Sequence, residues 1–310
     1  MAAPHRIDVH HHVAAPSFLA AAGQITQGNQ PRMSWTVEQS LEDMDRGGVA
    51  TSIISLPHPV TIWPGDRDKA RGLARSWNEF VAQLMRDHPG RFGLFASLPM
   101  LDIDGALREI EYAFDTLKAD GINLMTNIGD KWLGDPHYDP VFAELNRRKA
   151  VVYTHPIAPS CMHDCIEGVN DSVVEFASDT TRAIARLIFS GAAARYKDIR
   201  FIFSHGGGTA PFLVERFERA PGKYAPKTDE PPINYLKRFH YDTAQAAHPW
   251  ALMGLTRMVA TTQILFGTDF PYRTAEETAR GIADFGFSSV ELRAIDCGNA
   301  QRLMPRWAKP

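Results

Sequence analysis

Short apolar runs recur along the whole chain, and they are the feature that most restricts its possible folds. Each is four to eight residues long, and most are apolar on both faces. Such runs are typical of parallel strands that are buried on both sides. We predict strands at residues 7–10, 50–56, 91–98, 121–125, 150–153, 199–203, 240–243 and 263–266, of which the seventh is the weakest.

Amphipathic segments separate these runs. In residues 67–86, for example, Leu73 and Trp77 begin a stripe at helical spacing, and Thr36 with Gln39 matches a helix capping box. We predict helices at residues 36–46, 67–86, 104–118, 140–148, 172–195, 210–219, 248–259, 274–285 and 289–304. Eight strands that alternate with helices indicate an α/β fold, a closed (β/α)8 TIM barrel rather than an open sheet.

The length of 310 residues suggests two domains of about 150 residues, but α/β barrels of this length form one domain. The sequence contains no Gly/Ser linker and no low-complexity segment. We therefore predict one barrel domain over residues 1–310. Four long loops follow predicted strands 1, 2, 4 and 5, so they lie at the C-terminal mouth, where barrel active sites form; they are residues 14–35, 57–66, 127–139 and 156–171.

Charge and composition exclude several classes of protein. The 33 basic and 36 acidic residues give a net charge of −3, which argues against a nucleic-acid or anionic-membrane binder. No apolar run reaches the roughly 18 residues of a membrane span, and the N-terminus lacks the apolar region of a secretory signal. Cys161, Cys165 and Cys297 are too few for a disulfide framework, so we expect a cytoplasmic protein. For Cys161 and Cys165, with His163 between them, we favour two free thiols over a second zinc site.

Five residues that can bind metal or titrate lie at the ends of four predicted strands. The first strand runs into His10, His11 and His12, and side chains alternate along a strand, so His10 and His12 share a face. His155, His205 and Asp269 follow strands 5, 6 and 8. Because a barrel brings its strand ends together around one axis, we expect these groups to meet at its mouth.

Each residue has a plainer interpretation when it is taken alone. His155 suits a half-buried histidine that has its hydrogen bonds, and His205, followed by three glycines, suits a turn. Asp269 precedes Phe270 and Pro271 and suits a helix N-cap. Coincidence does not readily explain why all of them fall at strand ends, and this joint placement favours a site.

The residues at these strand ends resemble those of the amidohydrolase superfamily, and within it the aminocarboxymuconate-semialdehyde decarboxylase-like branch. The resemblance covers essentially the whole chain. It is carried by His10-x-His12, Tyr153-Thr154-His155-Pro156, Phe203-Ser204-His205-Gly206-Gly207 and Phe266-Gly267-Thr268-Asp269-Phe270-Pro271. This resemblance implies metal ligands at His10, His12, His155 and Asp269, with His205 as an active-site histidine beside them.

The same resemblance bears on the cofactor. Two-metal members of the superfamily use a carboxylated lysine at the end of strand 4, where this chain has no lysine, so we expect one divalent metal ion. Many decarboxylases of the branch have Glu-x-His on strand 1, whereas this chain has His10-x-His12. Three nitrogens and one carboxylate suit Zn²⁺, with Mn²⁺ as the alternative.

The resemblance implies non-oxidative decarboxylation of an aromatic acid. We expect Asp269 to deliver the proton to the ring carbon and His205 to assist it. Three alternatives stay open: hydrolysis of a lactone or amide by a metal-activated water, hydration of an unsaturated diacid, and decarboxylation of aminocarboxymuconate semialdehyde. The segment 174–182, which includes Phe176, resembles bacterial decarboxylase-type members and favours a 2-hydroxybenzoate such as a 6-substituted salicylate.

Aromatic residues near the predicted mouth are candidates to line a flat substrate. We expect the site to take a small aromatic carboxylic acid, with substrate-binding residues His58, Trp63, Trp132, Phe176 and Phe270. In strand-end loops, single aromatic residues equally serve packing. Relatives in the branch are oligomers, which implies a homodimer or homotetramer.

Overall fold

The computed structural model describes residues 5–13, 15–22, 35–58, 66–129, 131–220 and 230–308. Eight strands in these ranges form one parallel sheet, and neighbours in the sheet follow one another along the chain. They are β1 (Arg6–His12), β2 (Val49–Ser55), β3 (Phe92–Ser97), β4 (Gly121–Met125), β7 (Val151–His155), β8 (Arg200–Phe203), β9 (His240–Asp242) and β10 (Ile264–Leu265). An antiparallel hairpin of β5 (Asn127–Ile128) and β6 (Lys131–Trp132) follows β4.

The backbone just beyond β10 closes the sheet into a barrel. The Val9 amide donates to the Phe266 carbonyl at 3.0 Å, and the Asp269 amide donates to the His10 carbonyl at 2.8 Å. The His12 amide then donates to the Phe270 carbonyl at 2.9 Å. This closure confirms the predicted (β/α)8 barrel, and it also fixes Asp269 beside β1.

Helices lie between the strands along the chain, and the last three follow β10. The helices are α1 (Pro16–Ala22), α2 (Val37–Arg46), α3 (Arg67–Asp87), α4 (Ile103–Glu111), α5 (Asp139–Arg147), α6 (Asp171–Phe189), α7 (Ala192–Arg195), α8 (Ala210–Glu218), α9 (Pro232–Arg238), α10 (Pro249–Met258), α11 (Ala275–Asp284), α12 (Ser289–Arg293) and α13 (Asn299–Leu303). Wider π turns extend α4 and α12 at Tyr112–Thr116 and Ala294–Gly298. Within the described ranges, none of the helices has the length and apolar character needed to span a membrane.

Local sequence signals account for helix ends. The Thr36 hydroxyl accepts from the Gln39 amide, and the Gln39 side chain accepts in return from the Thr36 amide, so the predicted capping box is present. The predicted helix over residues 172–195 is two helices instead. Gly191 adopts a φ of 75° between α6 and α7, and this left-handed conformation ends the helix.

The barrel interior has two layers of different character. The floor layer is apolar, and the C-terminal segment packs beneath it through Cys297, Ala300, Leu303 and Met304. The mouth layer, nearer the C-terminal ends of the strands, is polar and buried. The floor layer consists of Ile7, Val9, Ile53, Phe95, Val151, Ile202 and Leu265, and the mouth layer of His10, His12, Ser55, Ser97, Asn123, His155 and Asp242.

Candidate metal-binding and active site

A β-bulge in β1 turns two histidines into the barrel. Asp8 pairs with Ser52 and His11 with Ile54, so three steps along β1 match two along β2. Without this extra residue, strict alternation would place His10 on the opposite face from Val9. Because of the bulge, Val9 belongs to the floor layer while His10 and His12 face the mouth.

The predicted metal ligands and His205 lie together at this mouth. One ligand atom from each of His10, His155, His205 and Asp269 lies within 4.8 Å of the others. Nε2 of His12 is 3.0 Å from Nε2 of His10, and both nitrogens approach Oδ1 of Asp269, at 3.3 and 3.2 Å respectively. The barrel therefore brings together all five residues that the strand ends predicted.

The first two histidines are oriented so that one nitrogen of each is free for a ligand. Nδ1 of His10 lies 2.8 Å from the Asp242 carboxylate, and Nδ1 of His12 lies 3.0 Å from the Ser55 carbonyl. A carbonyl only accepts hydrogen bonds, so Nδ1 of His12 carries the proton and Nε2 presents its lone pair. Both Nε2 atoms thus point to the centre of the cluster, as in metal-binding histidines held by an acceptor behind them.

Asp242 and Asp8 were not among the predicted site residues, yet they hold the cluster in place. The second oxygen of Asp242 accepts from the amides of His205 and Ala244. Asp8 accepts from the His10 amide and from the amide and hydroxyl of Thr268. Asp242 ends the observed β9 and lies one residue before the end of the weakest predicted strand, residues 240–243, so its position near a strand end is the signal that could have identified it.

Three cluster residues adopt the left-handed conformation that is uncommon for residues other than glycine. They are His205, Gln245 and Asp269, with φ of 54°, 52° and 68°. Nε2 of His205 lies 3.4 Å from Oδ2 of Asp269, and Nε2 of Gln245 donates to the same oxygen at 2.8 Å. Such conformations concentrate at functional sites, where surrounding contacts maintain them. Gln245 is a further site residue that the sequence did not indicate.

Close packing around the cluster requires glycine. A Cβ at Gly267 would lie 2.8 Å from Cβ of Asp242 and 3.0 Å from Cβ of His10. A Cβ at Gly208 would lie 2.1 Å from the Ala177 carbonyl of α6. These glycines let the backbone pass close to its neighbours at the cluster.

Burial and the two carboxylates, Asp242 and Asp269, have opposing effects on the pKa values of the clustered histidines. Burial opposes charge on His10, but Asp242 and Asp269 outweigh it and raise its pKa to about 10. Burial lowers the pKa of His12, and it lowers the pKa of His155 well below its ordinary value. Burial also opposes ionisation of Asp269, yet the charge of His10 and hydrogen bonds from the surrounding histidines hold its pKa well below the usual range. The ionised Asp269 thus faces two neutral imidazoles, those of His12 and His155, which is the protonation state that metal ligands need, whereas the charged His10 has to release its proton when a cation binds.

The donor set fits one divalent cation. Nδ1 of His155 is buried and has no hydrogen-bond partner in the described part of the chain. Together with Nε2 of His10, Nε2 of His12 and a carboxylate oxygen of Asp269, His155 gives a set of nitrogen and oxygen donors that includes no lysine. Such a set suits Zn²⁺, and imidazole with carboxylate also suits Mn²⁺.

The predicted substrate-binding residues differ in their placement. Phe176, on α6, contacts His155 with ring centroids 6.2 Å apart. The Trp132 indole donates to Asp179, one turn further along α6, at 2.6 Å. His58 stacks on Phe18, and burial lowers its pKa to about 4. These three remain predicted wall residues.

The remaining two residues of the same prediction are Phe270 and Trp63. The Phe270 ring stacks on His11 with centroids 4.5 Å apart, and His11 faces α2, where its Nε2 lies 2.8 Å from the Ser40 hydroxyl. Phe270 therefore packs on the outer side of β1. Trp63 lies outside the described residues.

A second group of metal-type ligands lies on the surface in the loop after β7. His163 is paired with Asp171 through Nδ1, and Asp164 is adjacent. Cys161 and Cys165 in the same loop are exposed and form no disulfide in the described part of the chain. The loop thus contains a solvent-exposed ion-pair cluster, in contrast to the buried cluster at the mouth.

Comparison with known proteins agrees with this geometry. The amidohydrolase family model matches residues 7–306. The chain is 34% identical to decarboxylase yanB of Aspergillus niger, over 98% of this chain and 89% of that protein. It is 33% identical to the 6-methylsalicylic acid decarboxylase of Penicillium expansum, over 97% of this chain and 96% of that protein.

The fold also matches solved structures. A dihydroxybenzoic acid decarboxylase from a Polaromonas species, with bound manganese and the inhibitor 2-nitroresorcinol, superposes with a TM-score of 0.88. The two chains are 22% identical, and the match covers 100% of this chain and 98% of that one. From the family match over nearly the whole chain and from the relatives at 33–34% identity, the protein belongs to the amidohydrolase family.

Proposed function

We propose that this protein is a metal-dependent, non-oxidative decarboxylase that releases CO₂ from a 2-hydroxybenzoate-type acid. One observation carries the proposal: Asp269 directs one oxygen to the nitrogens of His10 and His12 and the other to His205. A carboxylate placed in this way can both hold a cation and transfer a proton beside it. The names of the relatives from Aspergillus and Penicillium support the reaction class.

In this proposal His10, His12, His155 and Asp269 hold the metal, and His205 acts beside them. When bound, the metal would supply Lewis-acid chemistry for the substrate carboxylate and its neighbouring hydroxyl. We infer Zn²⁺ from the three imidazoles and one carboxylate. The manganese in the Polaromonas structure makes Mn²⁺ the alternative that metal analysis has to distinguish.

Asp269 and His205 move the proton. Asp269 is ionised at rest, because its pKa lies well below the usual range. It therefore first accepts the proton of the substrate hydroxyl and then delivers it to the ring carbon that bears the carboxylate. The carbon–carbon bond breaks, its electron pair returns to the ring, CO₂ leaves, and solvent restores the phenol proton. His205, 3.4 Å from Oδ2 of Asp269, assists this transfer.

The wall of the site near α6 suits a flat ring. Phe176 packs against His155, and Asp179 holds the Trp132 indole while also accepting from Thr126 and from Asn127 at 2.8 Å. This network fixes the β5–β6 hairpin against α6. Because these wall residues are already held in place, binding an aromatic acid between Phe176 and Trp132 would cost little conformational entropy of the protein.

Substitution of the two proton-transfer residues tests the proposal. CO₂ release from 2-hydroxybenzoates should fall about 10³-fold in Asp269→Asn and 10²-fold or more in His205→Asn, the range of general acid–base catalysis and charge stabilisation. Asp284→Asn, on the exposed end of α11, is the matched control and should retain the wild-type rate. Near-wild-type rates in both site variants would refute the assignment. Acid formation from lactones, with no CO₂ from any hydroxybenzoate, would instead identify a hydrolase.

We also propose that the protein is a cytoplasmic homodimer or homotetramer. Phe212 on α8 is 91% exposed and Trp250 on α10 is 84% exposed, which is unusual for large aromatic side chains and supports an interface on these two helices. Two exposed, free thiols in one loop support a reducing compartment. Sedimentation of the wild-type protein and of a Trp250→Glu variant tests the interface: the variant should dissociate, and an unchanged mass would exclude α10 from it.

A further inference from the structure

The barrel wall formed by β2, β3 and β4 contains polar side chains that the proposed reaction does not use. Ser97 ends β3 and is 4% exposed, and Asn123 lies within β4 and is 3% exposed. The two residues are direct neighbours in the sheet register. Neither is a metal-type ligand, and neither is among the residues that move the proton.

Both side chains leave hydrogen-bonding capacity unused. In the described part of the chain, the Ser97 hydroxyl oxygen and Oδ1 of Asn123 are buried without a hydrogen-bond partner. The two residues lie on adjacent strands, yet they do not hydrogen-bond to each other through these atoms. A buried polar atom without a partner costs free energy, so two of them side by side indicate a group that comes from outside the chain.

These atoms lie in the same layer as the metal ligands. The alternate residues Ile122 and Leu124 pack into the outer core, so Asn123 faces the barrel interior. Nδ2 of Asn123 donates to the Leu56 carbonyl at 2.7 Å, while the preceding carbonyl, that of Ser55, holds His12. Consecutive carbonyls at the end of β2 thus secure a metal ligand on one side and Asn123 on the other. A ring held by the cluster would face this wall.

The chemistry of the two atoms selects the group that they can bind. Because Nδ2 of Asn123 is engaged by Leu56, Oδ1 is fixed as an acceptor and requires a donor. The Ser97 hydroxyl can donate to the same group. A neutral hydroxyl meets both needs, since it donates once and accepts once. A methyl group would leave both atoms unpaired, and a carboxylate would place oxygen against the Asn123 oxygen.

We propose that Ser97 and Asn123 form a second polar subsite that recognises a hydroxyl on the substrate ring, in addition to the hydroxyl beside the carboxylate. The proposal rests on the proposed decarboxylase function and extends it, because it predicts a dihydroxybenzoate rather than a methyl-substituted salicylate. A site that hydrogen-bonds a substrate hydroxyl discriminates strongly against the analogue that lacks it.

Two matched substrate pairs test the subsite. Each pair differs by hydroxyl against methyl: 2,6-dihydroxybenzoate with 2-hydroxy-6-methylbenzoate, and 2,3-dihydroxybenzoate with 2-hydroxy-3-methylbenzoate. The metal-loaded protein should favour the hydroxyl member of one pair by about tenfold or more in kcat/KM and in Kd. Asn123→Leu, which is close in size, should reduce that preference to about twofold, and Ser97→Ala should reduce it in part.

Thr51→Val is the control for loss of a hydroxyl in the barrel, because Thr51 donates to the Gly90 carbonyl at the opposite end of β2. It should leave the preference unchanged. A wild-type protein that binds or converts the methyl members equally well would overturn the subsite. So would an unchanged preference in folded, metal-loaded Asn123→Leu and Ser97→Ala. Failure of the decarboxylase function is separate: the preference would then persist in Kd although no CO₂ is released.

Discussion

The floor and mouth layers of the barrel are built from the same eight strands, and they serve different purposes. In the floor layer, Ile53 and Leu265 are fully buried among other apolar side chains. In the mouth layer, a few residues further along, His10 and Asp242 are equally buried but polar. A buried polar group contributes little to stability and costs free energy when it lacks a partner, so the mouth layer has to be explained by function. The difference predicts that stability and activity can be altered separately.

The largest expected effect is a loss of stability from the floor. Ile53→Ala removes a fully buried side chain from a closely packed layer. It should lower the free energy of unfolding by about 3 kcal/mol, because both the transfer energy and the cavity oppose folding. Urea denaturation measures this change. The rate of CO₂ release per folded, metal-loaded molecule should stay near that of the wild type, and a large fall in that rate would show that the two layers are not separable.

A substitution in the mouth layer should weaken metal binding rather than lower the stability of the fold. Asp242→Asn removes the charge behind Nδ1 of His10 while it keeps the shape of the side chain. Metal affinity should fall about 10- to 100-fold, which is typical when the partner behind a metal-binding histidine is lost. Competition with a chelating dye measures the affinity. Wild-type affinity in this variant would remove Asp242 from the site.

Acid should destabilise the floor end of the barrel through His240 at the start of β9. Burial lowers the pKa of His240 to about 4, whereas an unfolded chain has a value near 6.5. Between these values the unfolded state binds a proton that the native state does not, so stability is lost as pH falls from 6.5 toward 4.

His240 contributes on the order of 2 kcal/mol to this fall in the free energy of unfolding, and the His240→Gln variant should lack that contribution. Urea denaturation of both proteins at pH 7 and pH 4.5 gives the comparison, in which any loss of metal affects both equally. An identical pH dependence in the two proteins would contradict this assignment.

A smaller effect is expected at the edge of the mouth. Gln245 donates to Oδ2 of Asp269 and accepts from Nε of Arg273 at 3.1 Å. Gln245→Ala should lower kcat about tenfold, the loss of one hydrogen bond to a charged group, with little change in KM, because it disturbs the oxygen that carries the proton. Gln83→Ala, on the exposed face of α3, is the control. A change in KM alone would assign Gln245 to substrate binding instead.

Regular features of the sequence predicted most of the fold. Apolar runs located all eight barrel strands, and the run at residues 121–125 matches β4 at both ends. The helix over residues 172–195 was extended too far because its apolar spacing continues past Gly191. Periodicity reports which residues face the core, but it does not report that one glycine adopts a left-handed conformation.

The site was predictable only where residue type and position coincide. His155 and Asp269 are distinctive residues at strand ends, and they lie in the cluster. Ser97 and Asn123 are ordinary polar residues, and only their missing hydrogen bonds distinguish them. The bulge in β1 depends on pairing with β2, a contact about 40 residues away that alternation along one strand cannot reveal.

The central claim is that the polar mouth holds one divalent cation on which decarboxylation depends. The most direct measurement is a titration of chelator-treated protein with Zn²⁺ or Mn²⁺, in which bound metal and CO₂ release are followed together. We predict that activity rises linearly with bound metal and stops at one ion per chain, and that a combined His10→Ala and His155→Ala variant neither binds the ion nor releases CO₂. Full CO₂ release from protein that contains less than about one tenth of an ion per chain would contradict the account.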